Sequence, residues 1–321
     1  MPSVSIIVAT SGRPTALEET LRSLATVQVP AGWAVDLLLV ENVTQAGAES
    51  LLALLAGSGI STMYLFEPVR GKSRALNLAL AAATGDVLLF SDDDVRFPVD
   101  WIERMGEPIF SGRADAVAGG VRLAPHLLRP WMNRTHRAWL ASTADYLSSD
   151  NPSEICGANM ALRRQIFDKI GGFDPELGPG ITGGGEESLL SWQIRKAGFK
   201  ILGALEIEIE HHPNPDRLLY KSWIRAAQSK GETRAIHRHH WFHEPIEHAL
   251  VKKWWVSAKL ALRRKLSPAR KPDEEGIPPW ELSYIEDIAK YSRYLRESKR
   301  ARTYTLQGLR KNTADQQPVT A

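Results

Sequence analysis

The chain of 321 residues carries a single cysteine, Cys156, so it cannot form an internal disulfide. No basic-then-apolar leader with a small-residue cleavage site opens it, and a secreted disulfide scaffold is not expected. Long apolar runs are missing too. The longest, Leu37 to Val40 and the alanine-rich stretch from Ala75 to Ala83, fall well short of the roughly 20 residues that span a bilayer. No transmembrane helix is predicted. No Gly-x-Gly-x-x-Gly follows the first predicted strand, which disfavours a dinucleotide-dependent oxidoreductase, and no internal repeat stands out.

What is present is the composition of an ordinary soluble globular protein, 43% hydrophobic and 24% charged, with room for one or two domains with real cores. The net charge of +3 hides an asymmetry. Up to His212 there are 25 acidic and 18 basic residues, leaving −7; beyond it, 22 basic and 12 acidic leave +10. An acidic, cation-handling part joined to a basic tail suits an anionic partner surface, although solvated helix faces explain the tail alone equally well.

Val4 to Thr10 is a β-branched run that stops at Ser11-Gly12-Arg13-Pro14, and helical spacing follows from Thr15 to Leu24. Thr15 is placed to cap that helix, with Glu18 as its reciprocal partner. Strands are predicted at Val35 to Val40, Thr62 to Phe66 and Val87 to Phe90, with helices at Ala46 to Leu55 and Ser73 to Ala83 between them. Such alternation predicts an α/β fold whose mostly parallel, Rossmann-like central sheet is flanked by helices, with ligands beyond the strands' carboxyl ends. A helix from Trp101 towards Ala118, a strand from Ala116 to Val121 and an irregular insertion from Pro125 to Pro152 come next. Ile155 to Leu162 reads as strand, Arg163 to Ile170 as helix and 171 to 175 as a turn. Gly178, Gly180, Gly183, Gly184 and Gly185 form a flexible or ligand-approaching loop before a helix from Glu186 to Ala197. The alternating strand Ile201 to Glu210 ends at His211-His212. Helices at Leu218 to Lys230, Glu247 to Leu266 and Leu282 to Lys299, interrupted by a Pro-rich break, make up the tail. The expected division is a domain over 1–214 and a basic helical extension over 215–321.

The strongest chemical signal is Asp92-Asp93-Asp94 directly after a buried strand. Three adjacent carboxylates repel one another unless a cation joins them, and Mg²⁺ or Mn²⁺ held by one or two carboxylates commonly shares a site with substrate phosphates. Arg70-Gly71-Lys72-Ser73 at a helix start can hold phosphate oxygens. Glu41 ends the second strand as a possible base or ribose contact, and Glu186-Glu187 follow the glycine loop where a proton acceptor would be needed. The histidines of His237 to His243 lack zinc-site spacing and are assigned no metal. Val251, Trp255, Ala258, Leu262 and Leu266 share one helical face while lysines and arginines occupy others, which fits an interfacial helix on an anionic membrane and a helix packed on the rest of the chain equally well.

Three blocks in this order resemble the inverting family 2 glycosyltransferases of GT-A fold, over about residues 3 to 212: Val4 to Thr10; Gly71 to Asn77 with Gly85-Asp86 and Asp92-Asp93-Asp94; and Gly157 to Arg164 running to Gly171-Gly172-Phe173-Asp174. The resemblance implies transfer of a sugar, expected from a UDP-sugar, to an acceptor hydroxyl on a glycan or lipid-linked carrier in cell-envelope polysaccharide or glycolipid synthesis. It implies Mn²⁺ or Mg²⁺ on Asp92, Asp94 and His211, with His212 as the alternative histidine. Glu187, paired with Glu186, takes the family's base position, where the family has Glu-Asp. Donor contacts are implied for Ala9, Thr10, Arg13, Glu41, Lys72, Asn77, Asp92, Asp93 and Gly157, Glu41 standing where the family has aspartate. A cytoplasmic location is expected, with peripheral contact between the basic tail and the membrane and no nucleic-acid partner. A nucleotidyltransferase acting on a sugar phosphate and a non-enzymatic membrane- or polyanion-binding module are the alternatives.

Overall fold

Alternate side chains of β1 (Ser3–Thr10) divide between two buried layers, which is why the strand is apolar almost throughout. Val4, Ile6 and Val8 enter a core with Leu17, Leu21 and Leu24 of α1 (Pro14–Leu24), while the strand's other face turns towards α3 (Lys72–Ala82). The computed structural model describes residues 1–312; residues 313–321, the end of the polar tail and of the expected extension, lie outside the described residues.

β2 (Ala34–Asn42) and β3 (Ser61–Glu67) continue the parallel pattern around α2 (Ala48–Leu51), and β4 (Val87–Asp92) follows α3. After β5 (Val95–Arg96) come α4 (Trp101–Phe110), β6 (Ala116–Leu123), α5 (Arg134–Trp139), β7 (Asn159–Arg163), α6 (Ile166–Ile170), α7 (Glu186–Lys196) and β8 (Ile201–His211). These strands form one sheet of order β3-β2-β1-β4-β7-β6-β8-β5. The run β3-β2-β1-β4 and the pair β6-β8 are parallel; β7 and β5 pair antiparallel. Asn159 ties the middle together, its amide donating to the carbonyls of Gly120 and Ile207 while its oxygen accepts from Trp101 Nε1.

Several sequence expectations need correction. Thr15 caps nothing: Pro14, with its fixed φ, already occupies the first helical turn, and Arg13 is the flanking residue with no side-chain cap. Glu18 instead pairs with Arg22 at 2.7 Å. The helix from Trp101 ends at Phe110, where Gly112 adopts φ +74, so Ala116 is free to begin β6. The Ala46–Leu55 helix is α-helical only over Ala48–Leu51 and tightens to a 3₁₀ turn over Leu52–Leu55. The expected 155–162 strand begins only at Asn159 and runs one residue further, to Arg163, because the residues before it form a turn beside Glu187.

The chain divides into two compact units, one of residues 1–175 with 186–213 and one of residues 176–185 with those from Asn214 on. In the second, α8 (Tyr220–Ile236) continues into a π-helical turn, His237–Trp241, and packs on α10 (Pro279–Glu297), where Gly231 lies against the Glu286 carbonyl. α9 (Ala249–Lys265) also packs on α10, through Arg264 on Glu281 and Arg263 over the Trp280 ring at 4.6 Å. The histidines hold the chain's last described segment: His239 meets the Arg300 carbonyl, His240 meets Glu297 and His243 meets the Tyr304 carbonyl. The glycine loop belongs to this unit. Thr182 bonds to the Gly184 carbonyl, and Ser229 and Thr233 of α8 donate to the Thr182 and Gly184 carbonyls.

Candidate active site

The parallel strands deliver their carboxyl ends side by side. Ala9 near the end of β1 is in register with Val40 on one flank and Asp92 on the other, and Glu41 pairs with Thr10. The turn after β4 then sends its three carboxylates in different directions. Asp93 is fully buried and accepts from the Thr10 hydroxyl and the Arg13 guanidinium. Burial pushes it up to about 6 against the opposing pull of Arg13. Asp94, also buried, accepts from Arg13 Nη1 at 2.7 Å through one oxygen, and its other oxygen lies 3.4 Å from His211 Nε2. Asp92 is partly exposed and pairs with Lys72 at the start of α3.

His211 is oriented from behind. Its Nδ1 lies 2.9 Å from the Leu140 carbonyl, which can only accept, so Nδ1 donates there and Nε2 is turned towards Asp94. A backbone-oriented imidazole beside a carboxylate is a pair of donor types suited to a divalent ion. Of the three expected ligands the structure brings Asp94 and His211 together, while Asp92 is turned to Lys72; no group of three His, Cys, Asp or Glu side chains among the described residues is gathered closely enough to hold a metal ion. His212 does not share this place, because its Nε2 pairs with Glu210 at 2.7 Å.

α7 begins with Glu186 and Glu187, both favoured by the positive end of the helix. Glu186 is buried, with Oε2 lacking a hydrogen-bond partner, and Glu187 is partly exposed. Burial and then the neighbouring Glu186 raise Glu187 well above the ordinary carboxylate range, while Lys72 and the Gly157 N–H pull it back. Gly157 leaves the room that this carboxylate occupies. A Cβ at that position would meet Glu187 Oε1 and push the carboxylate aside. Burial alone would lower Lys72, but Asp92, Glu187 and Glu186 together raise it, so one ammonium faces three carboxylates. Lys72 thereby links the end of β4 to the start of α7.

Some expected donor-contacting residues are occupied with the protein itself. Glu41 is 1% exposed, with its carboxylate accepting from the Tyr64 hydroxyl at 2.8 Å and the Ala46 N–H at 2.5 Å, so it anchors the loop after β2. Asn77 clamps both backbone groups of Phe173, at 2.8 and 2.9 Å. Asp93 and Thr10 hold each other. Ala9, Arg13, Lys72 and Asp92 retain partly exposed surface around the strand ends.

Two contributors escaped sequence reading. Tyr146 donates to the Cys156 thiol, which burial first and Glu187 next push up to about 12, so both belong to the surroundings of Glu187. Leu140 acts only through its carbonyl. Both Leu140 and Tyr146 lie in the aperiodic 125–152 insertion, where no pattern marks them; the one signal was the insertion's position after a strand end. Thr143 fixes that segment to β6 by accepting from Val121 N–H at 2.8 Å.

Residues 5–171 match the family model described as glycosyl transferase family 2. The chain belongs to glycosyl transferase family 2. Over 244 residues it is 30% identical to the succinoglycan biosynthesis protein ExoM of Rhizobium meliloti, covering 74% of this chain and 76% of that protein. It is 28% identical over 114 residues to the glucosyl-dolichyl phosphate glucuronosyltransferase of Haloferax volcanii, covering 34% and 36%. Among solved structures, the Pyrobaculum calidifontis mannosyltransferase PcManGT, in complex with GDP-Man and Mn²⁺, is similar at TM-score 0.62 and 19% identity over 92% of this chain and 87% of that one. GalNAc-T7 with UDP, GalNAc and Mn²⁺ is similar at TM-score 0.52 and 14% identity, over 92% and 56%. This family 2 chain therefore has the GT-A fold, a curled, mostly parallel sheet flanked by helices.

Proposed function

We propose that this family 2 enzyme inverts the anomeric centre as it moves a sugar from a nucleotide sugar, a UDP-sugar foremost, to a hydroxyl of a glycan or lipid-linked acceptor. The observation that carries the reading is the Glu186-Glu187 pair, whose raised proton affinity suits a base working near neutral pH and which shares Lys72 with Asp92. Glu187 takes the proton of the acceptor hydroxyl. The acceptor oxygen bonds to the anomeric carbon as that carbon's bond to the diphosphate oxygen breaks, and the nucleoside diphosphate departs with the electron pair. The Gly157 N–H keeps the Glu187 carboxylate aimed, and Lys72 and Arg13 supply fixed positive charge beside the departing group. Mn²⁺ or Mg²⁺ held by Asp92, Asp94 and His211 would add countercharge for the diphosphate when bound.

The nucleotide and Mn²⁺ named for PcManGT and GalNAc-T7 support a metal-assisted diphosphate donor, and the names of the two sequence relatives support polysaccharide or glycolipid synthesis. A cytoplasmic enzyme in peripheral contact with the membrane through its basic extension fits the same picture. No helix among the described residues is long and apolar enough to cross a membrane. The test is release of UDP from a panel of UDP-sugars, with and without Mn²⁺, by the parent and by Glu187→Gln. Metal-stimulated release from one sugar, lost in the variant, supports the reading; absence of release and of nucleotide binding across UDP-, GDP- and dTDP-sugars overturns it.

A further inference from the structure

α9 turns its apolar side outward. Ala249 and Leu260 are its buried residues, and Arg263 and Arg264 join it to α10. At 3.6 residues per turn, Leu250, Val251, Trp254, Trp255 and Leu262, with Leu266 just past the helix end, fall on the side away from that seam. Trp254 is 76% exposed, Trp255 64% and Leu266 80%. A contiguous patch of two indoles and four aliphatic side chains left in water is costly and marks a surface made to be covered.

The charges say by what. Ala249–Lys265 contains six basic residues and no acidic one, and Arg270 and Lys271 follow in the next loop. Lys252 and Lys259 border the apolar side, and Lys259 Nζ lies 5.6 Å from the centre of the Trp255 ring. A second copy of the chain docking α9 on α9 would bring the lysines that border one apolar side against those of the other. An anionic bilayer instead accepts the indoles and aliphatic chains at the level of its headgroups and gives the lysines phosphate partners.

We infer that α9 is an in-plane membrane anchor, its Leu250–Leu266 apolar face inserted among anionic phospholipids and the bordering Lys252 and Lys259 on their headgroups. The inference deepens the proposed function by naming the surface that brings the enzyme to a lipid-held acceptor, and for that purpose it rests on the proposed reading. Binding to the bilayer does not depend on it.

The experiment is co-sedimentation of the full chain with vesicles of phosphatidylcholine alone or mixed with phosphatidylglycerol, at low and high salt. The parent is expected to sediment with the anionic vesicles, more weakly at high salt, and scarcely with the neutral ones. Replacing both indoles, Trp254→Ser with Trp255→Ser, is expected to weaken partition at least about tenfold, since it removes the deepest apolar area. Lys252→Glu with Lys259→Glu should weaken it by about fivefold or more per lysine on anionic vesicles and little on neutral ones. UDP release in solution by the double Trp variant should match that of the parent. No sedimentation of the parent, or sedimentation unchanged in the Trp variant, overturns the inference. So does a parent dimer in light scattering that the Trp variant converts to monomer, because the face would then be an interface between copies. Loss of UDP release in every form with vesicle binding intact would strike the proposed function and leave the anchor standing.

Discussion

The end of β4 and the outer side of α9 invert the usual partition of side chains in opposite ways. At β4, Asp93 and Asp94 are drawn inside, held by Thr10 and Arg13, with the oriented His211 beside Asp94. On α9, two tryptophans and four aliphatic residues are pushed into water among lysines. Buried carboxylates and exposed indoles both raise the free energy of the free protein, and each arrangement becomes favourable when a complementary partner arrives. In the readings proposed above the partner differs in kind: a cation with a diphosphate at the first, an anionic lipid surface at the second.

The sharpest way to break this comparison is Glu187→Gln, which keeps the shape of the site and removes the proton acceptor. Transfer is expected to fall by about 10²–10⁴-fold with donor binding retained, as read by steady-state kinetics beside a binding isotherm. Next in size is a matched pair of truncations. Trp101→Ala, at a fully buried indole that bonds Asn159, should cost about 3–5 kcal/mol in urea unfolding. Trp254→Ala should stay within about 0.5 kcal/mol of the parent, since its side chain supports no core. Equal losses would mean that α9 is a structural helix and the comparison false.

The pH dependence comes last. Glu187 holds its proton above the ordinary carboxylate range, and a base must be ionised, so activity rises as pH climbs through that raised value. The folded state therefore binds more protons than the unfolded chain between the ordinary and the raised value, and stability falls with rising pH across that window. Glu187→Gln removes the loss, so its stability relative to the parent should improve as pH rises, measured by unfolding at several pH values.

How much of this was legible in the sequence follows from what each residue depends on. The parallel strands were visible because burial on both faces forces continuous apolar runs such as Ile6-Ile7-Val8 and Leu37-Leu38-Leu39. The carboxylates at the strand ends were conspicuous because such residues rarely follow buried apolar runs without cause. Helix limits were less so: Pro14 displaced the Thr15 cap, and the Gly112 turn ended a helix that periodicity extended towards Ala118. Glu41 and Asn77 looked available to a ligand by position, yet tertiary partners, Tyr64 and the Phe173 backbone, already hold them. Tyr146 and the Leu140 carbonyl act through a fold of the insertion that no local pattern encodes. On α9 the pattern fitted a membrane-facing and a packed apolar side equally well, and the positions of Ala249, Leu260 and Arg264 show that another side is the packed one.

The central claim is a division of labour, with Asp94 on the donor side of the site and Glu187 on the acceptor side. Calorimetric titration of UDP in the presence of Mn²⁺ tests it directly. The parent and Glu187→Gln are expected to bind alike, while Asp94→Ala loses most of the affinity and its dependence on Mn²⁺. Metal-dependent binding of UDP to Asp94→Ala with the affinity of the parent would contradict the account.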